Sequence, residues 1–263
     1  MKKLLFSTVV SMAVAGSAFA ADLQVKKVAD IAGKQSVIKD SKDGFRITAG
    51  KGQVLFFSAK RMPVDLKKKY MVSCEYRLAP GAKSSDHFYV APVCYDKNGK
   101  MLEVAPQYCI VGTDTVLAAA AKKGDKILKV KDGQKWQKNW YAAFNTKKDY
   151  SDLPNTALVR IGAIVKKGDV WEVELKTPLA KDYPAGTAVR NHRSGATYRY
   201  LLYTVPKAEW QKTSKVFSGV KADHSTGSWN SWRINTVQAG FVFFTTGKPV
   251  DMEIRNMSIT EVK

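Results

Sequence analysis

The sequence predicts an all-β protein, on three observations. The apolar residues Tyr70, Val72, Cys74, Tyr76 and Leu78 alternate with Met71, Ser73, Glu75 and Arg77, the period of a strand with one buried face. Near the C-terminus Val250, Met252 and Ile254 repeat that alternation. Only Val116 to Lys122 reads as helix, and it is short. A content of 45% hydrophobic residues excludes an intrinsically disordered chain. The 263 residues suit one large domain or two small ones. Past the N-terminus no stretch reaches the roughly 18 apolar residues of a spanning helix.

Taken in order, Met1-Lys2-Lys3 is a basic start, Leu4 to Ala15 an apolar run, and Gly16-Ser17-Ala18-Phe19-Ala20 a small-residue cleavage site. This is the layout of a secretory signal peptide, which implies a secreted or periplasmic protein cut after Ala20. Loss of Lys2 and Lys3 takes the formal charge from +20 to +18. No Cys follows the apolar run, which argues against a lipoprotein anchor. Val64-Asp65-Leu66 leads into the Tyr70 strand and Pro80-Gly81 ends it. His87 to Tyr95 is a second strand, and Asp96-Lys97-Asn98-Gly99 a hairpin turn returning through Lys100 to Val104. Ala239 to Thr245 is apolar on both faces and belongs in a sheet interior. After Gly247-Lys248-Pro249 the alternation of Val250, Met252 and Ile254 changes parity at Met257 and Ile259, which predicts a bulge near Arg255-Asn256.

The middle has another texture. The turns Lys123-Gly124-Asp125, Lys167-Gly168-Asp169 and Pro184-Ala185-Gly186-Thr187 separate short strands at Lys126 to Val130, Leu158 to Val165 and Val170 to Leu175. Such even spacing suits a small β-barrel or curled sheet.

Two resemblances attach to these pieces. The Tyr70-to-Leu78 strand is followed by the hairpin Val93-Cys94-Tyr95-Asp96-Lys97-Asn98-Gly99-Lys100. Later come Ala208-Glu209-Trp210, Phe217-Ser218-Gly219, and Trp232-Arg233 running into the Ala239-to-Phe244 strand, and the chain closes on Met257-Ser258-Ile259-Thr260-Glu261-Val262. This set resembles the β-sandwich jelly roll of carbohydrate-binding modules. The middle segment, with its Gly-Asp turns, Trp136 and Trp140, the Val170-to-Leu175 strand, Thr177-Pro178-Leu179 and Pro184-to-Thr187, is similar to a small β-domain of phage tail and surface proteins. The resemblances imply a jelly-roll sandwich of residues 21–113 and 194–263 that carries residues 114–193 as an inserted small β-barrel-like domain. One continuous sandwich with a long decorated loop is the alternative. Jelly rolls of this kind often hold a structural calcium. Asp40, Asp43 and Asp251 would contribute to one if they converge, and no cofactor is otherwise implied.

In an exported protein Cys74 and Cys94 either pair, if their strands face each other across the loop near Ala79 to Ser85, or stand with Cys109 as small buried hydrophobes. No CxxC, HExxH or Cys/His cluster is present. Lysines are scattered, with short clusters at Lys67-Lys68-Lys69, Lys122-Lys123, Lys147-Lys148 and Lys166-Lys167. Nucleic-acid binders concentrate charge on one face or helix, so no nucleic-acid partner is expected. The charge is either a solvated surface or a long-range attraction for acidic polysaccharide or a membrane surface.

Chemistry finds little support. There is no Gly-x-Ser-x-Gly elbow for a Ser-His-Asp hydrolase, and the sparse acids Asp96, Asp125 and Asp169 fall in turns rather than as glycosidase pairs. A polysaccharide lyase acting through Tyr198 or Tyr200 with His192 and Arg199 is an alternative. Aromatic rings are the better lead. Trp210 and Trp171 read as core, whereas Ser225-Thr226-Gly227-Ser228-Trp229-Asn230-Ser231-Trp232-Arg233 reads as a loop that presents Trp229 as a stacking platform. Arg233 and Asn230 are its hydrogen-bonding partners, Trp232 its neighbour, and Trp136 and Trp140 a second candidate. The expected function is therefore an exported, non-catalytic glycan-binding protein. The main alternative is a structural surface protein whose inserted domain drives homo-oligomerisation.

Overall fold

Residues 22–32, 36–195, 200–220 and 230–262 are described by the structure, a computed structural model. The expected signal peptide lies outside them. In chain order the strands are β1 Asp22–Val25, β2 Ile38–Ser41, β3 Gly44–Ala49, β4 Leu55–Phe57, β5 Met62–Pro63, β6 Lys69–Leu78 and β7 Phe88–Tyr95. Then come β8 Thr115–Val116, β9 Ile127–Val130, β10 Tyr141–Phe144, β11 Leu158–Lys167, β12 Val170–Leu175 and β13 Ala188–His192. The last four are β14 Leu202–Thr204, β15 Gln211–Ser218, β16 Gln238–Thr245 and β17 Val250–Val262. All pairings among these strands are antiparallel. The protein is all-β.

Two sheets pack face to face as a β-sandwich. The first runs β15-β6-β17-β3-β2 with β1 also on β17, and the second runs β14-β7-β16-β4 with β5 also on β16. The period-two pattern of β6 does what it predicts: Tyr70, Val72, Cys74 and Tyr76 turn inward and are buried. They share one core with Phe45 and Ile47 of β3, Met252 and Ile254 of β17, and Phe56, Phe88, Phe241 and Phe243 of the second sheet. Phe56 stacks on Phe243 with centroids 4.8 Å apart, and Phe88 lies 5.7 Å from the same ring. Such ring contacts add to the area they remove from water.

The parity change in β17 is a bulge: its register against β6 shifts between Arg255 and Ser258, and Asn256 takes a φ of 51°. Gly44 packs against this bend, where a Cβ would overlap the Ile254 carbonyl oxygen and lie 2.8 Å from Arg255 Cβ. β16, apolar on both faces, is interior as expected, between β7 on one side and β4 and β5 on the other.

The middle sheet takes all six of its strands from Thr115 to His192, in the order β8-β13-β10-β11-β12-β9. It has its own core of Leu117, Leu128, Val130, Phe144, Ile161, Val173, Leu175 and Val189. The Lys167-Gly168-Asp169 turn joins β11 to β12, with Gly168 at a φ of 59°. The expected barrel does not close as a strand ladder. The two edges meet instead through a single Leu117–Val130 bridge, where Ala118 N donates to Lys129 O at 2.7 Å and Lys131 N to Val116 O at 3.0 Å.

Three expectations are corrected. Val116 to Lys122 is not a helix, because its backbone is spent on neighbouring strands: Leu117 N donates to Thr187 O and Ala121 N to Tyr183 O. So short a segment cannot repay helix nucleation by itself. The Asp96-to-Gly99 turn forms, but Lys100 to Val104 is no strand and keeps only the bridge Tyr95–Met101 before leaving the sheet. Cys74, Cys94 and Cys109 form no disulfide with one another, and all three are buried. The first two sit on β6 and β7 in opposite sheets, where both are packed in the shared core as small apolar side chains. Among the described residues no helix is long and apolar enough to cross a membrane.

Candidate functional site

The residues chosen from the sequence separate. Trp229 lies outside the described residues. Trp232 is 1% exposed, its ring 5.1 Å from Phe217 and 5.7 Å from Tyr70, so it plugs the core rather than facing ligand. Arg233 is buried beside it, its guanidinium 5.1 Å from the Tyr108 ring centroid, while Asn230 is exposed. Trp136 is also buried, with Nε1 donating to Thr113 O at 2.8 Å. Trp140 keeps a partly open ring with the Arg193 guanidinium 5.5 Å from its centroid. Trp171 packs on the middle core, close over Gly133. Trp210, expected in the core, is instead on the outer face of the first sheet between the guanidinium groups of Arg77 at 4.6 Å and Arg255 at 3.9 Å. Its β15 neighbourhood pairs with β6 strand residues whose outward side chains are charged, so the ring finds cations.

The aromatic surface lies elsewhere. On the second sheet Phe88, Val90, Phe241, Phe243 and Leu202 point into the sandwich, so Tyr89, Phe244 and Tyr203 point out. Register puts them in one row across the strands: Tyr203 of β14 pairs with Tyr89 of β7, Tyr89 with Phe244 of β16, and Phe244 with Leu55 of β4. Tyr89 and Phe244 stack at 4.0 Å and 5°, and Tyr89 and Tyr203 at 4.2 Å and 18°. Leu55 and Tyr203 close the row at 45% and 52% exposed. β14 is the edge strand, and its Tyr203, which stacks on both Tyr89 and His87, is half exposed. Tyr200 tilts against Tyr89 at 5.2 Å. Burial, then the hydrogen bond with Tyr203, push the Tyr89 phenol up to about 12.

Polar groups border the row. His87 stacks on Tyr203 at 4.7 Å, with Nδ1 3.0 Å from Asp86 Oδ1. Thr246 Oγ1 donates to Asp86 Oδ2 at 2.9 Å, and Lys248 Nζ is 3.7 Å from that oxygen. These partners, the His87 side chain foremost, hold the Asp86 carboxyl well below the usual carboxylate range. The arrangement is a braced flat ring edged by an imidazole, hydroxyls and an ammonium, the mixture of apolar floor and few polar groups that a ligand site uses.

The lyase residues are not assembled in this way. Tyr198 and Arg199 lie outside the described residues, and Tyr200 belongs to the ring row. His192, on the middle sheet, is buried with both nitrogens engaged: Nδ1 donates to Ala105 O at 2.6 Å and Nε2 accepts from Arg190 Nε at 3.3 Å. Burial lowers the imidazole to about 4. Arg190, also buried, reaches Asp152 Oδ2 at 2.9 Å and Asp114 Oδ1 at 3.4 Å. This is a satisfied buried network that braces the middle sheet. The calcium candidates also take separate partners: Asp40 accepts from Val28 N, Asp43 lies 3.6 Å from Arg255, and Asp251 pairs with Arg46 at 2.8 Å. No cluster of three or more potential metal ligands occurs among the described residues.

The ring row has no local signature in the sequence, because its members come from four strands far apart in the chain. A partial signal existed: His87 and Tyr89, and Phe243 with Phe244, leave strands apolar on both faces, and the second face needed a purpose. No protein-family model, curated protein or solved structure matches this chain.

Proposed function

We propose that the protein is an exported, non-catalytic glycan-binding protein, and that the outer face of the second sheet is where it holds a sugar. The observation that carries this reading is the Tyr203–Tyr89–Phe244 row, a stack whose ring at the sheet edge, Tyr203, is half exposed while Phe244 is buried beneath the row. A sugar ring would lay its C–H face on Tyr203, while His87, Lys248 and the tyrosine hydroxyls meet its oxygens. Bracing by Tyr89 and Phe244 lowers the entropy lost on binding, because the platform is already ordered. The jelly-roll resemblance of the flanking stretches to carbohydrate-binding modules supports the same reading. The test is affinity electrophoresis of the protein on a panel of soluble polysaccharides, with Tyr203→Ala as the matched variant. Retardation by at least one polysaccharide that Tyr203→Ala abolishes is expected; no retardation by any rejects the reading.

One observation favours the second reading, a surface protein that self-associates through the middle sheet. Ile127 of β9 and Val165 of β11 are 53% and 47% exposed, and β12 register places them on one face. Light scattering of the purified protein decides it: a stable oligomer that Ile127→Lys dissolves is the signature of assembly.

A further inference from the structure

We infer that the two segments joining the middle sheet to the sandwich form a hinge that acid opens, with the His192 side chain as its latch. Such a hinge needs no ligand and stands apart from the glycan-binding reading.

Among the described residues no strand of the sandwich pairs with a strand of the middle sheet, and the two cores share no residue. The chain passes between them through an entering segment, residues 105–113, and a leaving segment, residues 191–193. The two run side by side. Ile110 N donates to Asn191 O at 2.9 Å, Arg193 N to Tyr108 O at 2.8 Å, and Cys109 bridges to His192. Asn155 N adds a bond to Pro106 O at 2.7 Å. The entering segment is held on the sandwich, where the Arg233 guanidinium lies 5.1 Å from the Tyr108 ring centroid. The leaving segment continues β13 and belongs to the middle sheet. His192 fastens one to the other: it ends β13, and its Nδ1 donates to Ala105 O at 2.6 Å.

That bond fixes the tautomer. With the proton on Nδ1, Nε2 keeps its lone pair and accepts from Arg190 Nε at 3.3 Å. A proton taken up from water on Nε2 would set one N–H against another, and an imidazolium against the guanidinium, where both side chains are fully buried. The nearby carboxylates are already engaged. Asp152 Oδ2 accepts from Arg190 at 2.9 Å and from Asn155 at 3.0 Å, its Oδ1 accepts from Lys147 N at 3.0 Å, and Asp114 faces Arg190 at 3.4 Å. Tyr141 of β10 pairs with His192, the Tyr150 ring lies 5.0 Å from the Arg190 guanidinium, and Arg193 follows in the chain. Burial pushes the Cys109 thiol up to about 11, so it stays neutral beside the imidazole. Burial, foremost, likewise brings the His192 imidazole down to about 4. The proton is accommodated when the ring moves out to water, which breaks its bond to Ala105 O and parts the segments. Above about pH 6.5 the ring is neutral whether the hinge is shut or open; as the pH falls toward 4 the open form protonates first and gains population.

The experiment follows amide hydrogen exchange of the full-length protein between pH 7 and about pH 4.5, corrected for the intrinsic pH dependence of exchange. The Ile110 and Arg193 amides cross between the two segments. They should exchange about tenfold or more faster at pH 4.5 than at pH 7, and slow again on return to pH 7. At pH 4.5 they should also exchange at least about tenfold faster than the amides of Val72 in β6 and Val173 in β12, which report on the two units themselves. The rise should run at about tenfold per pH unit below pH 6.5, one proton per opening, and level off where the His192 ring resonance titrates. His192→Gln offers a donor to Ala105 O and an acceptor to Arg190 without a titrating nitrogen, so its Ile110 and Arg193 amides should differ by less than about twofold between the two pH values. Exchange at Ile110 and Arg193 that is the same at both pH values in wild type, or that rises equally in His192→Gln, overturns the latch. Rates at pH 4.5 equal to those of Val72 and Val173 overturn it too, because the opening is then global unfolding. Should His192→Gln fail to fold, the slope and plateau of the wild-type titration decide: a rise that does not level off with the His192 resonance rejects His192 as the group responsible.

Discussion

The two outer faces of the sandwich are built from the same strand geometry and treat water in opposite ways. On the first sheet, cross-strand neighbours carry opposite charge. Arg77 meets Glu253 at 2.7 Å, Arg255 meets Glu75 at 2.8 Å, Arg46 meets Asp251 at 2.8 Å, and Trp210 is clamped between two of the guanidiniums. On that face these charges compensate one another. On the second sheet the corresponding row is Tyr203, Tyr89, Phe244 and Leu55, rings and an aliphatic whose mutual stacking leaves one exposed ring. A face that neutralises itself is structural, and one that leaves apolar surface to water is available for binding.

The comparison can be broken most forcefully from beneath. Phe243 supports both sheets from the shared core, and Phe243→Ala should cost about 3–5 kcal/mol in chemical denaturation. Tyr203→Ala should cost about 1 kcal/mol or less; a loss equal to that of Phe243 would make the ring row core rather than surface.

The middle sheet should show the next effect, through acid. The buried His192 imidazole has a folded pKa of about 4 against an ordinary value near 6.5, so the unfolded chain protonates first. Stability is then fully present above about pH 6.5 and is lost as the pH falls toward 4, by on the order of 3 kcal/mol. Denaturation at pH 7 and pH 4.5 measures it. Asp152 adds to the loss at lower pH: burial pushes its carboxyl up, but hydrogen bonds from Asn155 and the Lys147 amide and the charge of Arg190 hold it net below its usual value. A flat profile between pH 7 and pH 4.5 would mean that His192 is not held neutral by burial.

In binding, Tyr203→Ala should lower glycan affinity tenfold or more, about 1.4 kcal/mol. The smallest effect is expected on the charged face. Glu253→Gln should change stability by about 1 kcal/mol or less and leave glycan affinity untouched. A binding loss from Glu253→Gln would move the site to the first sheet.

Several of these elements were legible from residues alone. The alternation of Tyr70 to Leu78, the interior character of Ala239 to Thr245 and the bulge after Ile254 all follow from period-two burial, a local property of consecutive side chains. The candidate sites were less legible. The loop of small polar residues from Ser225 to Ser231 suggested exposed tryptophans, yet Trp232 turns into the core against Phe217 and Tyr70. Polar neighbours in sequence do not decide where a ring points when the strand after it pulls it inward. Trp210 erred the other way, because the arginines that hold it, Arg77 and Arg255, are remote in the chain.

Strand periodicity, turn chemistry and the excess of positive charge were determined by the chain itself, since each depends on neighbours a few residues apart or on a sum over all of them. Which face of a doubly apolar strand meets the core, which arginine meets a carboxylate, and which ring is left at a sheet edge were decided only in the tertiary structure. Antiparallel register sets them, and register joins residues such as Leu55, Tyr89, Tyr203 and Phe244 that no local pattern connects.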